Sequence, residues 1–235
     1  MQFTHDFRRD LGVLMRQIDL KEPFAFARLS DGEAAIINMR PVPTADGWTV
    51  PASPTAFTSA LLDSLDYNAQ GYHLGISCPC CYKPIHERLM GRKKIPDDRC
   101  TFSTLFVNGN FERFHELAEG VSLFDPNKSA LVCPRGRGKL AVPLNLVNHP
   151  NAMPFINVLV DCLLELPPGP ILVAAGPASS IIIHLYWMRS KNRQTIIDIG
   201  SVLDMNIHEQ GGGAVATRGY HSPDNPNRRK ICQWQ

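Results

Sequence analysis

The sequence predicts an α/β fold built on a mostly parallel sheet flanked by helices. Three observations carry this. Residues 170–200 read as an apolar strand (Ile171, Leu172, Val173), a tight glycine turn at Gly176-Pro177-Ala178-Ser179-Ser180, a helix over Ile181–Arg189 and a second apolar strand over Thr195–Ile199. Strand, short turn, helix and parallel strand form the βαβ unit. Further short apolar strands alternate with amphipathic helices along the rest of the chain. A balance of 44% hydrophobic and 20% charged residues in 235 is that of a globular domain with a substantial core.

The elements follow in order. Phe7, Leu11, Leu14, Met15 and Ile18 recur at helical spacing, which predicts a helix over 6–20. Phe24–Leu29 reads as a buried strand, broken by Ser30-Asp31-Gly32. A helix follows over Glu33–Met39, with Ser30 or Asp31 available as its N-cap. Residues 41–54 are proline-rich loop, 54–66 a helix and Tyr72–Ser77 a strand. Pro79 and Pro84 make Cys78–Pro84 read as irregular, ahead of a short helix over Ile85–Met90. Alternation over Thr101–Val107 predicts a strand ending at Asn108-Gly109-Asn110, and Phe111–Glu119 a helix. Ser129–Cys133 reads as a strand, and Met153–Leu166 as a helix with Phe155, Val158, Leu159, Cys162 and Leu163 at core spacing. The chain reads as one domain over 1–235, with a polar, glycine-rich segment at 205–235 expected to be mobile or ordered by substrate.

Bulk properties exclude several classes. A net charge of +2 and a pI near 8.2 are too mild to argue nucleic-acid binding from charge alone. Local basic clusters at Arg88–Lys94, Arg135–Lys139 and Arg228–Lys230 could each hold a phosphate or face solvent. The N-terminal residues carry no apolar stretch after their charges. The apolar region 155–188 is interrupted by Asp161, Glu165 and Pro167-Pro168-Gly169-Pro170, so no transmembrane segment is expected. The expected compartment is the cytoplasm, with the seven cysteines reduced. Homo-oligomerisation is left open.

Ligands of parallel sheets bind at the carboxyl ends of the strands. That edge is expected to gather Asp31-Gly32-Glu33, Asn108-Gly109-Asn110, Gly176-Pro177 and Asp198-Ile199-Gly200. Asp31 and Glu33, with glycine between them, supply hard oxygen ligands of the kind Mg²⁺ or Mn²⁺ takes, and the same residues could simply cap a helix. Arg28 could meet a carboxylate or a phosphate. The Gly176-Pro177 turn resembles a phosphate-cradling helix start, or a tight turn needing small residues. It is neither a Walker loop nor a dinucleotide fingerprint. Cys78-Pro79-Cys80-Cys81 with His86 lacks the spacing of a zinc knuckle, and no Gly-x-Ser-x-Gly elbow is present.

Together these motifs resemble the GT-D-type glycosyltransferases. That family carries a strand ending in Arg-(aromatic)-Gly-Asp-Gly-Glu, here Arg28-Leu29-Ser30-Asp31-Gly32-Glu33. Later it carries Gly-Pro-(small) after an apolar strand and a strand ending Asp-Ile-Gly, here Gly176-Pro177-Ala178 and Asp198-Ile199-Gly200. Ser30 stands where the family usually has glycine, Ser201 where a histidine is expected, and Asp204 one residue after the family's acidic position. The resemblance implies a Rossmann-like sheet, Mn²⁺ or Mg²⁺ at metal ligands Asp31 and Glu33, and a nucleotide-sugar donor, most simply a UDP-sugar. The donor would be contacted by Arg28, Ser30, Asn108, Gly176, Pro177, Arg218, Tyr220, His221, Arg229 and Lys230. Asp204 is the first candidate for the base, then Asp198, His208 and Glu209. The acceptor is expected to be a hydroxyl of a glycan, a protein-linked sugar or another biomolecule. Two alternatives remain from sequence: transfer to a hydroxylated DNA base, and a non-catalytic nucleotide- or phosphate-binding module.

Overall fold

The computed structural model describes residues 2–40, 49–53, 55–106, 111–125, 127–133, 140–143, 146–191, 193–200 and 202. The elements in order are α1 (Phe7–Asp19), β1 (Ala25–Leu29), α2 (Asp31–Ile37), α3 (Ala56–Asp66), β2 (Tyr72–Ile76), α4 (Pro79–Arg92), β3 (Cys100–Phe102), α5 (Phe111–Gly120), β4 (Ala130–Cys133), β5 (Leu140–Ala141), α6 (Ala152–Leu164), β6 (Ile171–Val173), α7 (Ala178–Ser190) and β7 (Ile196–Asp198). The seven strands form one sheet in the order β3-β2-β1-β7-β6-β4-β5. Every pairing is parallel.

Side chains alternate across a strand, so each strand feeds two cores. On β1, Ala25, Ala27 and Leu29 join one apolar cluster with Phe57 and Leu61 of α3, Ile156 and Val160 of α6 and Ile181 and Ile182 of α7. Phe24 and Phe26 join the other, with Leu11 and Leu14 of α1 and Phe114 of α5. The sheet is therefore covered on both faces, as parallel sheets require. The expected βαβ unit is present: β6 pairs with β7 (Ile171 opposite Ile196, Val173 opposite Asp198) and α7 connects them.

Val158 and Cys162 of α6, read at core spacing, are exposed instead, and two segments differ in the elements they form. Residues 79–84 are helical rather than irregular. Pro79 occupies the first turn of α4, where its missing N–H has no intrahelical partner to lose, and Pro84 is carried inside the helix. Packing of Leu89, Ile85 and Met90 against the larger core outweighs the local cost of that interior proline. The strand expected over 101–107 ends at Phe102. Ser103–Phe106 turns instead into a 3-10 helix that buries Leu105 and Phe106. Strand β5, only two residues long, has no readable sequence signature.

His73 of β2 is buried on the α1 side. It packs edge-on against Phe3 (centroids 5.4 Å apart) and Phe24 (6.3 Å). Its Nδ1 finds no hydrogen-bond partner among the described residues. Burial pushes its pKa from 6.5 down to about 3. The unfolded chain binds this proton below 6.5 and the folded chain does not. The stability from neutral His73 is therefore complete above 6.5 and lost as pH falls from there toward about 3. The loss across that window is on the order of 4 kcal/mol. His73→Phe, which keeps a ring and removes the titration, should flatten the acid limb of a denaturation-midpoint profile. Superimposable acid limbs would refute this account.

Candidate functional site

The site is built at the carboxyl ends of β7, the central strand, and its neighbour β1. The chain leaves β1 at Leu29 and enters α2 directly, with Ser30 as N-cap in extended conformation. The backbone N–H of Ser30 donates to Glu33 Oε2 at 2.8 Å. This is one half of a capping box, so the helix-cap reading of the acidic motif is correct for Glu33. It does not use up the carboxylate, which offers about four acceptor positions. Glu33 is 6% exposed while Asp31 is exposed. Burial, then the neighbouring charge of Asp198, and more weakly that of Asp31, push the Glu33 pKa from 4.5 to about 7.

Asp198 ends β7. Its Oδ1 accepts from the backbone N–H of Gly200 at 2.8 Å and lies 3.6 Å from Arg28 Nε. Burial pushes its carboxyl above the ordinary range, opposed chiefly by the Arg28 charge. Arg28 is the hub of this edge. Its Nη1 donates to the Ser103 carbonyl at 2.8 Å, and its guanidinium carbon stands 5.8 Å from the Phe106 ring centroid. Its own carbonyl accepts from Ser180 Oγ of α7 at 2.6 Å. Ser103 Oγ and Ser30 Oγ are 3.3 Å apart. Arg28 Nε is buried without a hydrogen-bond partner among the described residues, since 3.6 Å is ion-pair range only.

Gly200 completes the arrangement. Its φ is +53°, and a Cβ there would lie 1.9 Å from Arg28 Nη2. Gly200→Ala should cost about 1–2 kcal/mol from the left-handed backbone alone. The displaced guanidinium adds to that by loosening its hold on Asp198. A denaturation midpoint equal to wild type would disprove this close approach.

On the neighbouring strand, Gly176 (φ +55°) is exposed, and a Cβ there would meet nothing within 4 Å. Pro177 is buried as the N-cap of α7, and Ser179 Oγ accepts from the Ala175 N–H at 2.9 Å. The Ile199 N–H donates to the Val173 carbonyl at 3.0 Å, which ties this turn to the end of β7. The structure therefore brings Arg28, Ser30, Asp31, Glu33, Asp198, Gly176 and Pro177 to one edge. Asn108, Asp204, His208, Glu209, Arg218, Tyr220, His221, Arg229 and Lys230 lie outside the described residues, as do the 135–139 and 228–230 clusters. Sequence reasoning placed Gly200 on this edge but missed Ser103 and Phe106 as parts of the site. Both sat inside the mis-drawn strand 101–107.

Glu33 thus feels the charges of Asp198 and, more weakly, Asp31, while Asp198 alone pairs with the Arg28 guanidinium. The excess negative charge and all-oxygen donor set suit a hard divalent cation. No group of three or more His, Cys, Asp or Glu able to hold a metal occurs among the described residues. An ion held by Asp31 and Glu33 would need water and substrate oxygens to complete its shell, as Mg²⁺ commonly does.

The all-parallel sheet flanked by helices is an α/β fold, and it is similar to a glycosyltransferase fold. The chain is similar to a solved structure of domain of unknown function 1792, described as having a distinct glycosyltransferase fold: 12% identity and TM-score 0.57, over 94% of this chain and 89% of that one. It is similar also to a glycosyltransferase of that domain type from Streptococcus sanguinis, at 11% identity and TM-score 0.58 over 88% of this chain and 84% of that one. No family model and no curated protein sequence matches. Among the described residues, no helix is long and apolar enough to cross a membrane.

Proposed function

We propose that this chain is a metal-dependent glycosyltransferase that moves a sugar from a nucleotide-sugar donor, a UDP-sugar, to an acceptor hydroxyl on a glycan or other biomolecule. The observation that carries this reading is the coupling of Glu33 to Asp198 and Asp31, with Asp198 paired to Arg28, at the carboxyl edge of a sheet similar to that of a glycosyltransferase fold.

In this reading Asp31 and Glu33 hold Mn²⁺ or Mg²⁺. When bound, the ion supplies charge neutralisation for the departing diphosphate. Arg28 fixes Asp198 and the turn at Ser103, keeping the edge in one geometry before donor arrives. The exposed Gly176 turn leaves room for close approach of the donor backbone to the start of α7. Asp198 is engaged by Arg28 and the Gly200 N–H, so the acceptor proton is assigned first to Asp204, with His208 and Glu209 next and Asp198 last. Arg218, Tyr220, His221, Arg229 and Lys230 would close on the donor phosphates and exclude water.

The test is a thermal-shift screen of nucleoside diphosphates and sugar nucleotides with and without Mn²⁺, followed by a donor-turnover assay. A ligand that binds only the folded state raises its stability by mass action. A UDP-sugar is expected to raise the midpoint only with metal and to be turned over. Binding without turnover would favour the non-catalytic module, and no binding by any sugar nucleotide would overturn the proposal.

A further inference from the structure

The transfer reaction has no use for the thiols at the start of α4. Cys78 is the N-cap of that helix and fully buried; Cys80, two residues on in its first turn, is exposed. Their sulfurs are 3.3 Å apart. A disulfide needs about 2.05 Å between sulfurs, so closure asks for roughly 1 Å of movement, within reach of small χ1 adjustments. Cys78 sits beside the site edge. The N–H of the preceding Ser77 donates to the Leu29 carbonyl at 3.1 Å, directly before Ser30, and the Ser77 carbonyl meets His86 Nδ1 at 2.9 Å.

We propose that Cys78 and Cys80 are a reversible dithiol–disulfide pair, oxidised by low-molecular-weight disulfides such as oxidised glutathione. The step balances as two successive exchanges. The thiolate of exposed Cys80 attacks one glutathione sulfur and expels a glutathione thiolate, leaving a mixed disulfide on Cys80. Cys78, after losing its proton to water, attacks the Cys80 sulfur and expels the second glutathione thiolate. Two protein thiols become one disulfide, and oxidised glutathione becomes two reduced molecules. The sequence of exposures fits this order, because the incoming disulfide reaches Cys80 and the buried partner resolves the adduct. The pair is independent of the transferase reading.

The reduced full-length protein is equilibrated with oxidised glutathione, remaining thiols are alkylated under denaturing conditions, and the peptide containing residues 78–81 is analysed by mass spectrometry. A Cys78–Cys80 bridge is expected, reversed by dithiothreitol and formed equally in Cys81→Ser. In Cys78→Ser the glutathione adduct should persist on Cys80. Alkylation of both thiols while exposed Cys162 carries glutathione would overturn the proposal. So would a bridge from Cys78 to Cys133, or loss of the bridge in Cys81→Ser. The wild-type bridge assignment decides even where a variant fails to fold.

Discussion

Glu33→Gln is expected to abolish the proposed metal-dependent sugar transfer while making the metal-free protein more stable above neutral pH. The two halves have one cause. Glu33 is buried beside Asp198, and its pKa stands at about 7 against 4.5 in the unfolded chain. Its folded value is raised, so the stability tied to its protonated form is complete below 4.5 and is lost as pH rises through about 7. Forcing the charge into the site costs on the order of 3 kcal/mol at alkaline pH. Glutamine still accepts the Ser30 N–H and keeps the cap, but carries no charge to bury. The variant should thus unfold at higher denaturant than wild type at about pH 8, and the gap should close toward the unfolded-state value of 4.5. Turnover should fall by at least about a hundredfold, the size expected when some 3 kcal/mol of charge stabilisation at the leaving group is removed. Asp31→Asn should lose turnover comparably with little change in stability, because Asp31 is exposed. Near-normal turnover in both variants would end the metal-ligand assignment. A Glu33→Gln protein less stable than wild type at pH 8 would instead show that Glu33 serves the cap alone.

Arg28→Met should be the most destabilising single substitution at this edge. It leaves Asp198, whose side chain is 4% exposed, without its opposite charge, and it strips a hydrogen bond from the Ser103 carbonyl. Breaking a buried ion pair on one side costs about 3–5 kcal/mol. The loss should grow with pH, because the unpaired Asp198 then holds its proton more tightly in the folded state than it does beside Arg28. The double variant Arg28→Met with Asp198→Asn should recover a large part of the stability, and the interaction energy from the full cycle separates the pair from the packing of the Arg28 stem. A single variant within about 0.5 kcal/mol of wild type, the ordinary range for surface changes, would remove Arg28 from its place as hub.

What the sequence disclosed follows physical range. The stripe of α1, the strand over Ala25–Leu29 and the β6-turn-α7-β7 unit are set by neighbours a few residues apart, and each stands where its pattern puts it. The carboxylates of the acidic motif were readable as candidates because Asp31 and Glu33 are local. Where local chemistry and packing disagreed, packing won. Pro84 argued against a helix that Leu89 and Ile85 nonetheless bury, and alternation over 101–107 concealed the turn that hands the Ser103 carbonyl to Arg28. The partner of Arg28 was beyond reach. That a carboxylate or a phosphate would meet it was readable, but that the carboxylate belongs to Asp198 depends on β1 lying beside β7, which no spacing in the sequence states.

The adjacency of β1 and β7 also has a meaning in time. Of the described strands the ribosome delivers β1 first and β7 last, and the hydrogen bond from Ser180 to the Arg28 carbonyl joins residues 152 apart in sequence. Until β7 emerges, the nascent chain can pair β1 with β2 on one side only and exposes the other as an open sheet edge. Long-range closures of this kind are slow. Among the described strands, the sheet is therefore completed at its centre rather than at its rim. A chain cut short before Ile196 would carry Arg28, Asp31 and Glu33 yet lack Asp198, and it would present a sticky strand to its neighbours. Pairing of Arg28 with Asp198 and cover for the open edge of β1 thus arrive together, with β7.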